Sequence, residues 1–201
     1  MPAPLRALVR RFDQFLSRRN HIYVFNPADD NILRLQVARA PHAMLLGDCC
    51  IAKGEPLLGI HLWNDHLPPL HIGEALTWAA RTQRLFVNSL RLAAAEMKRD
   101  PQLSRLKAVY AATSIFTPAV GPSGKHPMTR LGFTVVPYHC PLGAFGEFWE
   151  NFYALALIGA YNPGSAPLRR LFSLKKTEMW MTAEDFLGRY GKEKPDHEFH
   201  E

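Results

Sequence analysis

Three prolines frame the longest periodic stretch of the chain. Pro68 and Pro69 break it on one side and Pro101 stops it on the other. Between them Leu76, Ala79, Ala80, Gln83, Val87, Leu90, Ala94 and Met97 recur at three and four residues. The spacing predicts one helix over about residues 72–98, roughly 40 Å long. The flanking sequence has a different period. Residues 32–38 alternate through Ile32, Leu33, Leu35 and Val37, and LLGIHLW over 57–63 reads as a strong strand. Residues 22–25, 43–46 and 50–52 are weaker strand candidates, set apart by the turn-formers of 26–31 and 53–56. An antiparallel meander is the economical connection. Beyond Pro101 the pattern gives a buried strand at 108–116, a short helix at 126–131 and a strand at 133–138. A second long helix spans 145–161, closed by Asn162-Pro163-Gly164, and a short strand follows at 178–181. Thr182 is placed to cap a last helix, with Asp185 at the capping-box position and Gly191 as its stop. The expected fold is one α/β domain of mixed α+β character, with a mixed, largely antiparallel sheet and helices on both faces.

An amphipathic helix precedes this domain. Leu5, Leu8, Val9, Phe12, Phe15 and Leu16 share one face of residues 4–18, and Asn20 can end the helix. Its arginines lie mostly opposite. Residues 1–19 carry Arg6, Arg10, Arg11, Arg18 and Arg19 against Asp13 alone, which is +4 of a total formal charge of +6. The helix either docks on the domain by its apolar stripe or lies on an anionic bilayer surface. The remainder of the chain is nearly neutral, so a nucleic-acid partner is not expected. We divide the chain into a basic helix (1–20), one domain (21–191) and a polar tail (192–201).

Three cysteines, two of them adjacent (Cys49, Cys50 and Cys140), do not make a disulfide scaffold. They read as small apolar residues rather than as a reactive thiol. The N-terminus lacks a signal-peptide apolar core, and the longest apolar run, 152–161, is about half a membrane span. A cytoplasmic protein is expected, with peripheral contact to the inner membrane face as the alternative.

Arg130-Leu131-Gly132-Phe133-Thr134-Val135 looks like a helix-to-strand junction. It is followed by an aromatic helix, Tyr161-Asn162-Pro163, and Glu178-Met179-Trp180-Met181-Thr182 with Phe186-Leu187 and Tyr190-Gly191. With Gly54-Glu55-Pro56 and Ile60-His61-Leu62-Trp63-Asn64 upstream, this series resembles the YkoP-like domain over about residues 20–191. That domain occurs alone in bacteria and as a C-terminal partner of polysaccharide deacetylase catalytic domains. The resemblance implies a context of envelope polysaccharide or glycolipid metabolism and a polysaccharide-processing protein as partner. The deacetylase chemistry itself is not expected, because the HxxxH metal pair of those enzymes does not occur here. In element order, and in the Gly-Phe pair at 132–133, the chain is also similar to the GNAT acyltransferase fold. Those enzymes hold acyl-CoA pyrophosphate on backbone N–H groups at a helix N-terminus. Here Pro68 and Pro69 remove two such donors.

The candidate ligand-binding residues are His61, Trp63, Asn64 and Arg130. A histidine at a strand end can act as a base or bind a sugar hydroxyl, and a tryptophan can stack on a sugar ring. On a regular strand His61 and Asn64 face opposite ways, so they converge only if the chain kinks after Trp63. His61, Asp65, His66 and His71 are possible metal ligands, but nothing places them on one face. Gly121 to His126 imitates a phosphate loop and fails it: position 119 is alanine and no Ser or Thr follows Lys125. Arg169, Arg170, Lys175 and Lys176 form a second basic cluster. The aromatic run Phe145, Phe148, Trp149, Phe152 and Tyr153 reads as core, with a partner interface as the alternative. The reading names no cofactor, no metal and no catalytic residue. It expects an accessory or ligand-binding domain for a sugar-containing or anionic small molecule. An acyl-CoA-dependent acyltransferase and a membrane-surface protein are the alternatives.

Overall fold

The structure is a computed structural model that describes residues 2–70, 74–113, 127–138, 140, 142–161 and 176–192. In chain order the elements are α1 (Ala3–Arg19), β1 (Leu33–Arg39), β2 (Met44–Leu46), β3 (Cys49–Ile51) and β4 (Pro56–Leu62). Then come α2 (Ala75–Arg99), β5 (Ala108–Thr113), α3 (Pro127–Arg130), β6 (Thr134–Pro137), α4 (Gly143–Tyr161), β7 (Thr177–Thr182) and α5 (Ala183–Tyr190). Among the described residues the strands form a five-stranded sheet in the order β1-β4-β5-β7-β6, with β2 and β3 paired separately. β4 and β5 run parallel; the other neighbours in the main sheet are antiparallel. The fold is mixed α+β with helices on both sides of the sheet, as the alternating periods predict.

The two sides differ in chemistry. Leu33, Leu35, Leu58, Ile60, Val109, Ala111, Met179 and Met181 meet Phe86, Leu90, Ala93, Ala94 and Met97 of α2 and Phe186 of α5 in the main core. Strand alternation sends Arg34, Gln36, His61, Tyr110, Glu178 and Trp180 to the other side. There the β2–β3 hairpin covers one end, closing Ala40, Leu46 and Ile51 over Leu57, Ala108 and Trp180. Glu178 is 1% exposed. It accepts from Trp180 Nε1 at 2.9 Å and from His42 Nε2 at 2.7 Å.

Several expectations are corrected. Residues 22–25 supply one isolated bridge, Tyr23 to Leu35, rather than a strand. The Ile22 N–H is used to close α1 on the Ser17 carbonyl at 2.8 Å. The meander is replaced by direct pairing of β1 with β4, Leu33 opposite Leu62, because the short β2–β3 hairpin turns at Gly47 and folds over the sheet instead of joining it. α1 does not dock by its apolar stripe: its buried residues are Asp13 and Ser17, while Leu5, Leu8, Phe12 and Phe15 are exposed. The α4 aromatics Phe145, Phe148, Trp149 and Phe152 are likewise exposed rather than core. The 114–116 end of the predicted strand, the loop at 121–126, His71, and the basic residues Arg169, Arg170 and Lys175 lie outside the described residues.

The capping at Thr182 is as read from the sequence: its Oγ1 accepts the Asp185 N–H at 3.0 Å and donates to Asp185 Oδ2 at 2.7 Å. The Arg130–Phe133 junction is structural. Gly132 has φ +91°, and α5 holds the turn through Arg189 Nη2 to the Arg130 carbonyl at 2.7 Å and the Tyr190 hydroxyl to the Leu131 carbonyl at 2.7 Å. A Cβ at Gly132 would lie 3.1 Å from Arg189 Nη1 and 3.2 Å from Met181 Cε. Gly132→Ala is expected to cost about 1–2 kcal/mol, since an L side chain is strained at positive φ, measured by urea unfolding. His42→Ala strips a buried carboxylate of one partner and is expected to cost about 1–3 kcal/mol. The His42 pKa is raised above 6.5 by hydrogen bonds to the Ala43 carbonyl and to Glu178. The wild-type advantage over this variant should therefore be full below pH 6.5 and fade as pH rises through the raised value.

Candidate ligand-binding cleft

The second side of the sheet carries a polar row. In the strand register Arg34 lies opposite His61, Gln36 opposite Gly59, and Gly59 beside Tyr110. α1 and α4 cross above this row without closing on it, and a cleft of about 450 Å³ remains between the helices and the sheet. α1 contributes Asp13 and Ser17, α4 contributes Glu150, Tyr153, Leu157 and Ile158, and Lys176 enters just before β7. β4 and β5 are paired through Leu58–Val109 and Gly59–Tyr110. Beyond that register Ile60, His61 and Leu62 on one strand and Ala111, Ala112 and Thr113 on the other all line the cleft.

Two opposite-charge pairs stand in it. Arg34 Nη2 lies 3.7 Å from Asp13 Oδ2, and Lys176 Nζ lies 3.1 Å from Glu150 Oε2. Asp13 also accepts the Tyr153 hydroxyl at 2.9 Å and the Tyr161 hydroxyl at 3.3 Å. Burial, then the nearby Asp13 carboxylate, pushes both phenols well above the usual tyrosine range, so they stay protonated donors. Arg34 Nη1 donates to Ser17 Oγ at 2.9 Å and Nη2 to the Leu62 carbonyl at 3.3 Å. Its Nε is buried with no hydrogen-bond partner among the described residues, an arrangement that native interiors rarely tolerate without a reason. Glu150 takes the Tyr138 hydroxyl at 2.8 Å as well as Lys176.

His61 sits between the two pairs. Gln36 Nε2 donates to the Asn20 carbonyl at 2.6 Å, which turns Gln36 Oε1 toward His61 Nε2 at 2.8 Å. The ring must then donate through Nε2–H, leaving Nδ1 as a bare acceptor with no hydrogen-bond partner among the described residues. Burial, with Arg34 and Lys176 nearby, lowers the His61 pKa from 6.5 to about 4. At neutral pH His61 is an uncharged imidazole with an available lone pair, a group that can accept a hydroxyl proton or hydrogen-bond it.

The four predicted residues divide evenly. His61 and Asn64 both line the cleft. The strand ends at Leu62, and the chain turns through Trp63 into a single 3-10 turn over Asn64–His66, the kink their convergence requires. Trp63 and Arg130 are not among the lining residues. The Trp63 ring stacks on His66, centroids 3.5 Å apart, and Arg130 belongs to the α5-clamped turn. His61 and His66 are engaged separately, His66 Nδ1 donating to the Asn31 carbonyl at 3.0 Å. Asp13, Arg34, Gln36, Tyr110 and Glu150 escape the sequence reading as site residues, whereas Tyr153 and Lys176 enter it only within the aromatic run and the basic cluster. For Arg34 and Gln36 the signal was present: they are the polar phase of the alternation that places Leu33 and Leu35 in the core.

The YkoP domain family model matches residues 4–190 of the chain. No curated protein and no solved structure matches it.

The His61 shift has a measurable sign. Between pH 6.5 and 4 the unfolded chain binds a proton that the folded one refuses, so this group's contribution is complete above pH 6.5 and falls as the solution is acidified. The loss should reach on the order of 3 kcal/mol near pH 4. His61→Gln is expected to flatten that part of the stability–pH curve, measured by urea unfolding across pH 4–7.5.

Proposed function

The chain belongs to the YkoP domain family, and from that premise we propose that its cleft binds a small sugar-containing ligand. It does so as an accessory, ligand-binding domain in envelope polysaccharide or glycolipid metabolism, beside a polysaccharide-processing partner. The observation that carries the reading is the make-up of the cleft. Charges cancel within two ion pairs, and the imidazole between them is neutral. A bare anion finds both cations already engaged. A hydroxylated ring finds what it needs: the acceptor His61 Nδ1, the amides of Gln36 and Asn64, the phenols of Tyr110 and Tyr153, and an aliphatic wall of Leu157 and Ile158. The buried, unpartnered Arg34 Nε–H supports a ligand acceptor at that end. The metabolic setting rests on the resemblance to domains fused to polysaccharide deacetylases.

One observation favours a second reading, acyl transfer from acyl-CoA. Parallel β4 and β5 lose their pairing where they enter the cleft, which leaves room for an extended chain between strand edges, and His61 is a neutral base beside it. The similarity in element order to the GNAT fold points the same way. In this reading His61 would take the proton of an acceptor amine or hydroxyl as the acceptor attacks the thioester carbon; the C–S bond then breaks and CoA leaves as the thiol on receiving that proton.

Thermal unfolding separates the two. N-acetylglucosamine or its 1-phosphate, at 100 times the dissociation constant, should add about 2.7 kcal/mol, roughly 5–10 °C for a chain of this size. Acetyl-CoA should add nothing. His61→Gln, melting with the wild type at neutral pH, should lose the sugar-dependent shift. A shift with acetyl-CoA and none with the sugars would install the acyltransferase in place of the binding domain, and no shift with any of them would remove the sugar reading.

A further inference from the structure

We propose that α1 and α4 together form a docking face for an anionic lipid bilayer. On α1, Leu5, Leu8, Phe12 and Phe15 are exposed at helical spacing, Leu8 by 62%. On α4, Phe145, Phe148, Trp149 and Phe152 are exposed at the same spacing, Phe145 by 69% and Trp149 by 51%. The two stripes adjoin. Phe12 stacks on Phe15 at 6.5 Å between centroids and meets Tyr153 of α4 edge-on at 5.8 Å. Trp149, one turn from Tyr153, packs edge-on with Phe145, Phe148 and Phe152. A helix apolar nearly all round is normally buried in a core or in lipid, and α4 is apolar at all but a few positions yet open on this side.

Charge selects the occupant. Among the acidic residues of the two helices, Asp13 and Glu150 point into the cleft, and helical spacing puts Glu147 on the far side of α4 from Phe145 and Phe152. The five arginines of α1 are all exposed. At 100° per residue Arg19 falls within the apolar stripe and Arg11 and Arg18 along its edge. Large aromatic and leucine side chains bordered by arginines match a headgroup boundary, where the apolar residues enter the acyl region and the guanidinium groups meet lipid phosphates. A second copy seated on the same face would bring two arginine-bordered surfaces of the same sign together, which opposes it. No described helix is long and apolar enough to cross a membrane, so the contact is with the surface. This surface does not depend on what the cleft binds.

The test is flotation of the full chain with vesicles of 30% phosphatidylglycerol in phosphatidylcholine, against phosphatidylcholine alone. Binding is expected on the anionic vesicles and weakened by salt. Arg11→Gln, Arg18→Gln and Arg19→Gln together should lower affinity about a hundredfold, since each basic residue near an anionic surface contributes about fivefold. Phe148→Ser with Trp149→Ser should abolish flotation while leaving thermal unfolding unchanged, as both side chains are exposed. Absence of binding by the folded wild type at low salt would overturn the proposal. So would a dimer in light scattering that the Phe148 and Trp149 substitutions dissociate.

Discussion

One buried carboxylate holds the site together. Asp13 is the sole acidic residue among the first nineteen and is 7% exposed. Its oxygens accept hydrogen bonds from the Tyr153 and Tyr161 hydroxyls on α4 and face Arg34 on β1, so three elements separated widely in sequence meet at one group. An isolated carboxylate at such depth would cost several kcal/mol, and its partners are what make it tolerable. α1 is thereby attached through polar contacts rather than through its apolar stripe. The consequences run both ways: a cleft survives beneath the helices, and Leu5, Leu8, Phe12 and Phe15 of α1 remain outside.

The sheet was legible in the sequence because its inner side obeys simple alternation. Leu33 and Leu35, Leu58 and Ile60, Val109 and Ala111, and Met179 and Met181 are apolar for the reason the pattern suggests: they pack on α2 and α5. Helix ends were legible where local chemistry decides them, as at Asn20 and Thr182. The hairpin of β2 and β3 was read as part of a meander because periodicity says which residues pair with something, not which strand they pair with. Of the cleft, two residues were visible. His61 stood out as a histidine in an apolar run, and Asn64 as its neighbour beyond the strand. Asp13 was not, since in a basic helix one aspartate looks like charge balance; its role follows from tyrosines 140 and 148 residues away. Trp63 lies outside the cleft, with one face of its ring stacked on the local partner His66.

The cleft and the outer helical face use opposite electrostatics. Inside, every formal charge has a partner and the titratable imidazole is kept neutral by burial, so hydrogen-bond geometry rather than net charge decides what fits. Outside, the arginines of α1 have no ion-pair partner among the described residues, and apolar rings lie beside them. α1 and α4 present the first chemistry to the sheet and the second to the surroundings, which is possible because a helix offers independent faces at three- and four-residue spacing.

The brief parallel pairing of β4 with β5 has a mechanical consequence. Elsewhere the main sheet is laced along most of each strand, from Leu33–Leu62 to Arg39–Pro56 on one flank and from Ala108–Thr182 to Thr113–Thr177 on the other. Between those flanks the join is Leu58–Val109 and Gly59–Tyr110. The sheet is thus two stiff panels sharing a short seam, with the cleft at its open end. A change in the angle between the panels would change its width, so a substitution at Leu58 or Val109, seam residues that do not line the cleft, would act on that space from outside it.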